Sequence, residues 1–329
     1  METVVINGIK LHLSSPEDIT IEWIGMQEYI NDILAAWIVL NDKDIPMIPR
    51  LLGKPGVGKT TLAIAAAKRI KKPIYIFQCT SDTRPEDLLI TPYLDENSKL
   101  SYYASPIVTA MIKGGVVILD EANRMNEKSW ASLASLFDYR RSIESVITGL
   151  KIKAHPDFRC CVTMNEDAST FEVPDYIISR LQPKIVLDFP EIEEEEKILR
   201  YHVDFAPDRL IQLCVDYLQK AHDLDLDFST RDGIHLLRYT LKLLEFNQTK
   251  TIDELFLESI RKNLGEDAID LDKLAEKQKL KIPDNYYEFS NWTDNLSEFY
   301  DGFQNLTDFL NSNSDDDFID DEDPPDDQD

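Results

Sequence analysis

The octapeptide Gly53-Lys54-Pro55-Gly56-Val57-Gly58-Lys59-Thr60 constrains this chain more than any other stretch. It fits G-x-x-x-x-G-K-S/T, and its surroundings have the order that the motif needs. Ile48-Pro49-Arg50-Leu51-Leu52 ahead of it reads as a short strand, and Thr61 to Arg69 behind it holds strong helix formers and no breaker. A strand–loop–helix unit of this kind binds phosphate. Its glycines let backbone N–H groups curl around anionic oxygens, and the helix N-terminus adds a positive dipole. Gly53, Pro55, Gly56, Val57, Gly58, Lys59, Thr60 and Thr61 are the candidate nucleotide-binding residues. Lys59 would reach the β- and γ-phosphates, and the Thr60 hydroxyl would bind Mg²⁺. The pattern predicts a nucleoside-triphosphate site.

About sixty residues later, Val116-Val117-Ile118-Leu119 reads as a buried strand ending in Asp120-Glu121. In a parallel sheet ligands bind at that carboxyl edge. Asp120 would hold Mg²⁺ through water, and Glu121 would orient and polarise the attacking water. Phe158 to Asn165 is another buried strand, with a polar amide at its end, and its adjacent Cys160 and Cys161 should point to opposite faces. Ile74 to Cys79 and Ile185 to Phe189 supply further core strands. Three hairpins are expected, one at Val4–Leu13 around Asn7-Gly8, one near 90–103, and one near 141–154 with Ile143, Val146 and Ile152 alternating.

Helical spacing of Met26, Tyr29, Ile30, Ile33, Leu34 and Trp37 places an amphipathic helix before the first core strand. Ile24-Gly25 at its start fits either a base contact or an ordinary helix start. Asn126 can cap a helix that buries Trp130, Leu133, Ala134 and Phe137. Pro174 to Arg180 forms a short helix ending in arginine. From Glu191 the pattern is wholly helical, with Leu210, Ile211, Cys214, Tyr217 and Leu218 on one stripe. Ser229-Thr230-Arg231-Asp232 resembles a capping box with Asp in place of Glu, and Thr251 with Glu254 makes another. The expected division is an α/β nucleotide-binding part over 1–190, helices over 191–281, an aromatic and acidic extension over 282–310 and a disordered acidic tail over 311–329.

Charge narrows the partners. Residues 282–329 hold sixteen Asp and Glu and no Lys or Arg, leaving −10 of the total of −26 on residues 1–281. Nucleic-acid binding runs on Lys and Arg neutralising phosphates, so none is expected here. Four cysteines and five histidines show no metal-ligand spacing. Met1-Glu2 opens without an apolar leader-like run, and Ile33 to Leu40 is too short to span a bilayer, so the expected location is the cytoplasm.

Taken in order, these motifs resemble those of an AAA+ ATPase over about residues 20–245. Leu119-Asp120-Glu121-Ala122-Asn123-Arg124 is similar to the D-E-x-N-R signature of MoxR-type AAA+ proteins, relatives of the dynein-like group. Ala154-His155-Pro156-Asp157-Phe158 ahead of Thr163-Met164-Asn165 looks like the same subfamily. The resemblance implies a parallel five-stranded sheet flanked by helices, with a helical lid and ATP and Mg²⁺ as ligands. Lys59 and Thr60 would form Walker A, and Asp120 and Glu121 Walker B. Asn165 would serve as sensor 1, Arg231 as sensor 2 from the lid, and Arg180 as an arginine finger toward a neighbouring subunit. Arg124, Arg140 and Arg141 are further candidates to cross that interface. The hairpins near 90–103 and 141–154 would be pore-facing inserts of a hexameric ring. The family's common partner, a von Willebrand factor A (VWA) domain, would come from another protein.

The implied function is an ATP-driven chaperone that remodels or matures a partner protein complex. Two other readings share the motifs. One is a nucleic-acid or GTP-using dynein-like motor, faintly suggested by Met164-Asn165-Glu166-Asp167, in which the Asp falls one residue early for M-N-x-x-D. The other is a nucleotide switch in a signalling or defence assembly, for which a degraded Glu121 would speak.

Overall fold

The computed structural model describes residues 2–94, 98–166, 171–247 and 249–280. The hairpin β1 (Thr3–Ile6) and β2 (Ile9–Leu13) precedes α1 (Gln27–Trp37), the strand β3 (Arg50–Gly53) and α2 (Lys59–Arg69). β4 (Ile74–Gln78) leads through α3 (Pro85–Leu88) into β5 (Ile90–Leu94), β6 (Leu100–Ala104), α4 (Pro106–Lys113) and β7 (Val116–Asp120). A 3₁₀ turn over Ala122–Arg124 and α5 (Glu127–Leu133) follow. After them come β8 (Ser142–Ser145), β9 (Leu150–Lys153), β10 (Arg159–Asn165), α6 (Asp175–Ile178) and β11 (Lys184–Val186). The helices α7 (Ile192–His202), α8 (Asp208–Asp223), α9 (Thr230–Phe246), α10 (Ile252–Leu264) and α11 (Leu271–Leu280) complete the order. The chain divides into two units, Met1–Leu271 and Asp272–Asp329, and the first contains every candidate site residue. The readings for 282–310 and for the acidic tail 311–329 lie outside the described residues. Among the described residues, no helix is long and apolar enough to cross a membrane.

The central sheet runs β11-β3-β10-β7-β4, and every pairing in it is parallel. Both its faces are covered, which is why its strands read as unbroken apolar runs. One face packs Val117, Leu119, Cys160 and Val162 against α4, α5 and the β8–β9 hairpin. The other packs Leu51, Val116, Ile118, Cys161 and Ile185 against α1 and α2. Cys160 and Cys161 thus fall in opposite cores, as the period of two requires. The expected α/β arrangement is present: strands deliver their carboxyl ends to one edge, and the chain crosses from β3 to α2 through the glycine loop.

Two features differ from expectation. The sequence reading assigns no element to 105–113, where α4 stands with clear end signals. The Ser105 hydroxyl accepts from Val108 N (3.2 Å), Pro106 follows at the first helical position, and Gly114 closes the helix in the left-handed region at φ 70°. The first two hairpins are also not separate. β2 pairs in parallel with β6 through Leu11↔Tyr102, His12↔Tyr103 and Leu13↔Ala104, giving a four-stranded sheet β1-β2-β6-β5. The third hairpin forms as expected and buries Ile143 and Ile152, whereas Val146 lies in its turn, almost fully exposed at 96%.

All four cysteines are buried. Burial pushes the Cys160 and Cys214 thiols well above the usual range and so disfavours the reactive thiolate form. Treatment of the native protein with Ellman's reagent should label less than one thiol per chain, rising to four in denaturant. Fast native labelling of Cys160 or Cys161 would contradict the two-core placement.

Candidate functional site

β3 ends at Gly53, and the loop that follows carries two glycines in left-handed conformations, Gly56 at φ 86° and Gly58 at φ 95°. Neither has room for a side chain. A Cβ on Gly56 would collide with the Ser229 hydroxyl, and one on Gly58 would sit 3.1 Å from the Trp23 ring. At these two positions the loop is bare backbone, lying against the first turn of α9 and an aromatic side chain. Gly58 is the N-cap of α2, so the helix N-terminus opens onto the loop.

Lys59 begins α2 and is only 6% exposed. Its amine donates to the carbonyls of Gly53 and Lys54, both at 2.8 Å. Burial lowers its pKa to about 8; Asp120 pulls the other way and Arg231 adds to the depression. Thr60, one residue on, donates from Oγ1 to Asp120 Oδ1 at 2.5 Å. Thr163 on β10 donates to the same oxygen at 2.7 Å and accepts from Glu121 N at 3.0 Å. Thr60 and Asp120 are hard oxygen donors side by side next to the glycine loop, a donor set that suits Mg²⁺.

Glu121 adopts a left-handed backbone at φ 53°, an unusual conformation for a residue with a side chain. Three groups hold its carboxylate: Asn165 Nδ2 donates to Oε1 (3.1 Å), Gln78 Nε2 to Oε2 (3.2 Å), and Arg124 Nε lies 2.7 Å from Oε2. Asn123 braces Asn165 through its backbone, donating to its carbonyl (2.7 Å) and accepting from its N–H (3.2 Å). The Asn and Arg of the D-E-A-N-R run thus fix the end of β10 and the acidic side chain. Arg124 faces the site of its own chain.

Two cavities meet at the loop. One, of about 90 Å³, is lined by Pro55, Lys59, Thr60, Asp120, Glu121, Thr163, Asn165 and Arg231. The other, of about 520 Å³, lies between Ile21, Trp23, Ile24 and Val57 on one side and Ile198, His202, Thr230 and Ile234 on the other. Its volume falls in the range of roughly 300–1,000 Å³ typical of small-ligand pockets. Gly56, Gly58, Thr61 and Arg231 line both. The polar cavity fits phosphates and a metal, and the larger, mostly apolar one fits a nucleoside.

Lys59, Thr60, Asp120, Glu121, Asn165 and Arg231 come together within the chain, and Arg180 does not. At the end of α6, Arg180 donates through Nη1 to the Tyr176 carbonyl, and its Nε lies 4.0 Å from Asp138 Oδ2. Asp138 also holds Arg140 through Nη2 (2.6 Å), while Arg141 donates inward to the Phe158 carbonyl at 3.0 Å. Trp23 and Thr163 were not singled out from sequence. Thr163 had a signal: it lies two residues before Asn165 and so shares its strand face.

The lowered Lys59 pKa gives a test with a definite sign. An anionic phosphate binds the charged amine, which is the majority form below pH 8 and is lost above it. ADP affinity should fall as pH rises from 8 to 9.5, by up to about tenfold per unit, with net proton uptake on binding in calorimetry across buffers of different ionisation heat. A pH-independent wild-type affinity would place the charged amine elsewhere.

Residues 50–181 match the sequence profile of the AAA domain, dynein-related subfamily. An uncharacterized protein of Staphylococcus epidermidis is 26% identical over 190 residues, covering 56% of this chain and 69% of that protein. An uncharacterized protein of Staphylococcus aureus strain USA300 is 31% identical over 120 residues, 35% of this chain and 46% of that one. The chain thus spans about two thirds of one relative and under half of the other. Among solved structures, a single-residue variant of RuvB from Thermotoga maritima superposes with a TM-score of 0.51 at 18% identity, covering 73% of this chain and 70% of that chain. A second variant gives 0.50 at 17% identity over 72% and 69%. At such identity the likeness is one of fold. Together with the sheet order, the profile match over residues 50–181 shows the α/β fold of an AAA+ P-loop NTPase, with that stretch similar to the dynein-related AAA domain.

Proposed function

We propose that the chain is an ATP-hydrolysing, ring-forming ATPase of the MoxR type that remodels or matures a partner protein complex in the cytoplasm, together with a VWA-domain protein. The observation that carries this reading is the convergence of Lys59, Thr60, Asp120, Glu121, Asn165 and Arg231 on one small polar cavity. Lys59 and the loop N–H groups bind the β- and γ-phosphates. Thr60 and Asp120 hold Mg²⁺, which when bound neutralises phosphate charge. Glu121 polarises the attacking water, and Asn165, hydrogen-bonded to it, fixes where that water sits. Arg231 neutralises charge from α9, with residues 191–281 acting as the lid. The work is positioning and charge stabilisation, as phosphoryl transfer requires. Glu121 is present and held by three partners, which speaks against a switch without turnover. The net charge of −26 speaks against a nucleic-acid substrate.

Arg180 lines neither cavity, which is what a residue serving the neighbouring subunit's nucleotide requires. Arginine fingers contribute about 10³–10⁵ in rate. Arg180→Ala should therefore bind ATP and scarcely hydrolyse it, as should Glu121→Gln, while Lys59→Ala should fail to bind. Mixing the two binding-competent variants builds interfaces in which a Glu121→Gln subunit supplies Arg180 to an Arg180→Ala subunit. ATPase activity should reappear in the mixture once labelled subunits are seen to exchange. Exchange without recovery would remove Arg180 from the active site.

A further inference from the structure

Glu195 on α7 is wholly buried yet lines neither cavity. Its Oε1 accepts from the Thr230 hydroxyl at 2.9 Å, and its Oε2 accepts from Gln219 Nε2 at 2.7 Å. The same Gln219 nitrogen donates to the Pro190 carbonyl (3.1 Å), just where the chain leaves the sheet for α7. One carboxyl therefore joins α7, α8 and α9 at the root of the helical part. Burying it is costly: desolvation raises its pKa to about 7, the two hydrogen bonds offsetting only part of that rise. An apolar side chain could pack three helices without that cost.

What the carboxyl holds gives the reason. Thr230 is the first residue of α9, and both its neighbours face the nucleotide site. Ser229 abuts Gly56 of the loop, and Arg231 lines both cavities. A second contact braces the same joint from α8. The His222 ring stacks on Phe189 at 4.0 Å, Lys54 of the loop lies over Phe189 at 5.0 Å, and Lys54 pairs with Asp227 at 2.8 Å. We propose that Glu195 is a positioning residue that, through Thr230, sets the register of Arg231 against the glycine loop. This rests on the reading of Arg231 as a phosphate contact.

The test compares full-length Glu195→Leu and Thr230→Val, each alone and combined with Arg231→Ala, in steady-state ATPase and in ADP binding. Thr230→Val replaces the hydroxyl by a methyl of similar size, a smaller change that tests the same bond if Glu195→Leu does not fold. Arg231→Ala should lower kcat by about 10²–10³-fold, as removal of one preorganised donor does. Glu195→Leu and Thr230→Val each break the Glu195–Thr230 bond and should each lower kcat about tenfold, with ADP affinity within about twofold. Neither should reduce kcat further in the Arg231→Ala background, because residues acting through one group are not additive. Glu195→Gln, which still accepts from Thr230, should recover most of the activity. Losses that multiply with Arg231→Ala, or an unchanged kcat in Thr230→Val, would overturn the positioning role alone. An unchanged kcat in Arg231→Ala would instead overturn the assignment of Arg231 and the positioning role with it.

Discussion

One carboxylate oxygen joins the parts of the sheet's carboxyl edge. Asp120 Oδ1 accepts from Thr60 at the start of α2 and from Thr163 on the neighbouring strand, so α2, β7 and β10 share a single acceptor. Charge-assisted bonds of this length are among the stronger polar contacts in a protein. Parallel pairing alone would bring β7 and β10 side by side, but it would not fix the hydroxyls and the carboxylate to within a few tenths of an ångström. That tie sets where the two hydroxyls and the carboxylate lie relative to the glycine loop, and Glu121, the next residue, inherits its position from it.

Much of this arrangement is legible in the sequence because its signals are local. The glycine loop, the apolar run ending in Asp120-Glu121, the amide ending β10 and the Ser229–Asp232 box each fit within a few residues, and each forms where expected. Trp23 is not legible in this way. It lies outside any periodic stretch, and its place beside Gly58 follows from the packing of a segment anchored just before it. Lys68 Nζ holds the Ile21 carbonyl at 2.9 Å, and the Tyr201 hydroxyl accepts from Glu22 N at 3.3 Å. α4 is a different case. Its eight residues are too few and too uniformly apolar for period to separate helix from buried strand, though its terminal residues carried the answer.

The arginines show the same division between local and distant causes. Arg124, Arg140 and Arg141 look alike in sequence as mobile cations. Arg124 is paired with Glu121 and Arg140 with Asp138, while Arg141 is drawn inward to the backbone carbonyls of the β9–β10 connection. Arg231 is placed by its helix start, whose cap residues do the holding. Charge type is visible in a sequence; which oxygen a guanidinium finds depends on strands dozens of residues away.

The pairing of β2 with β6 has a kinetic side. Leu11, His12 and Leu13 meet partners some ninety residues further along the chain, so the first hairpin can form early but cannot dock until β6 exists. Contacts of such long sequence separation are slow to close and are unavailable to a chain still being synthesised from its N-terminus. Leu11 and Leu13, both almost wholly buried in the finished fold, are therefore exposed apolar surface during that interval. β2 is made before β6, so its burial waits on residues made some ninety positions later.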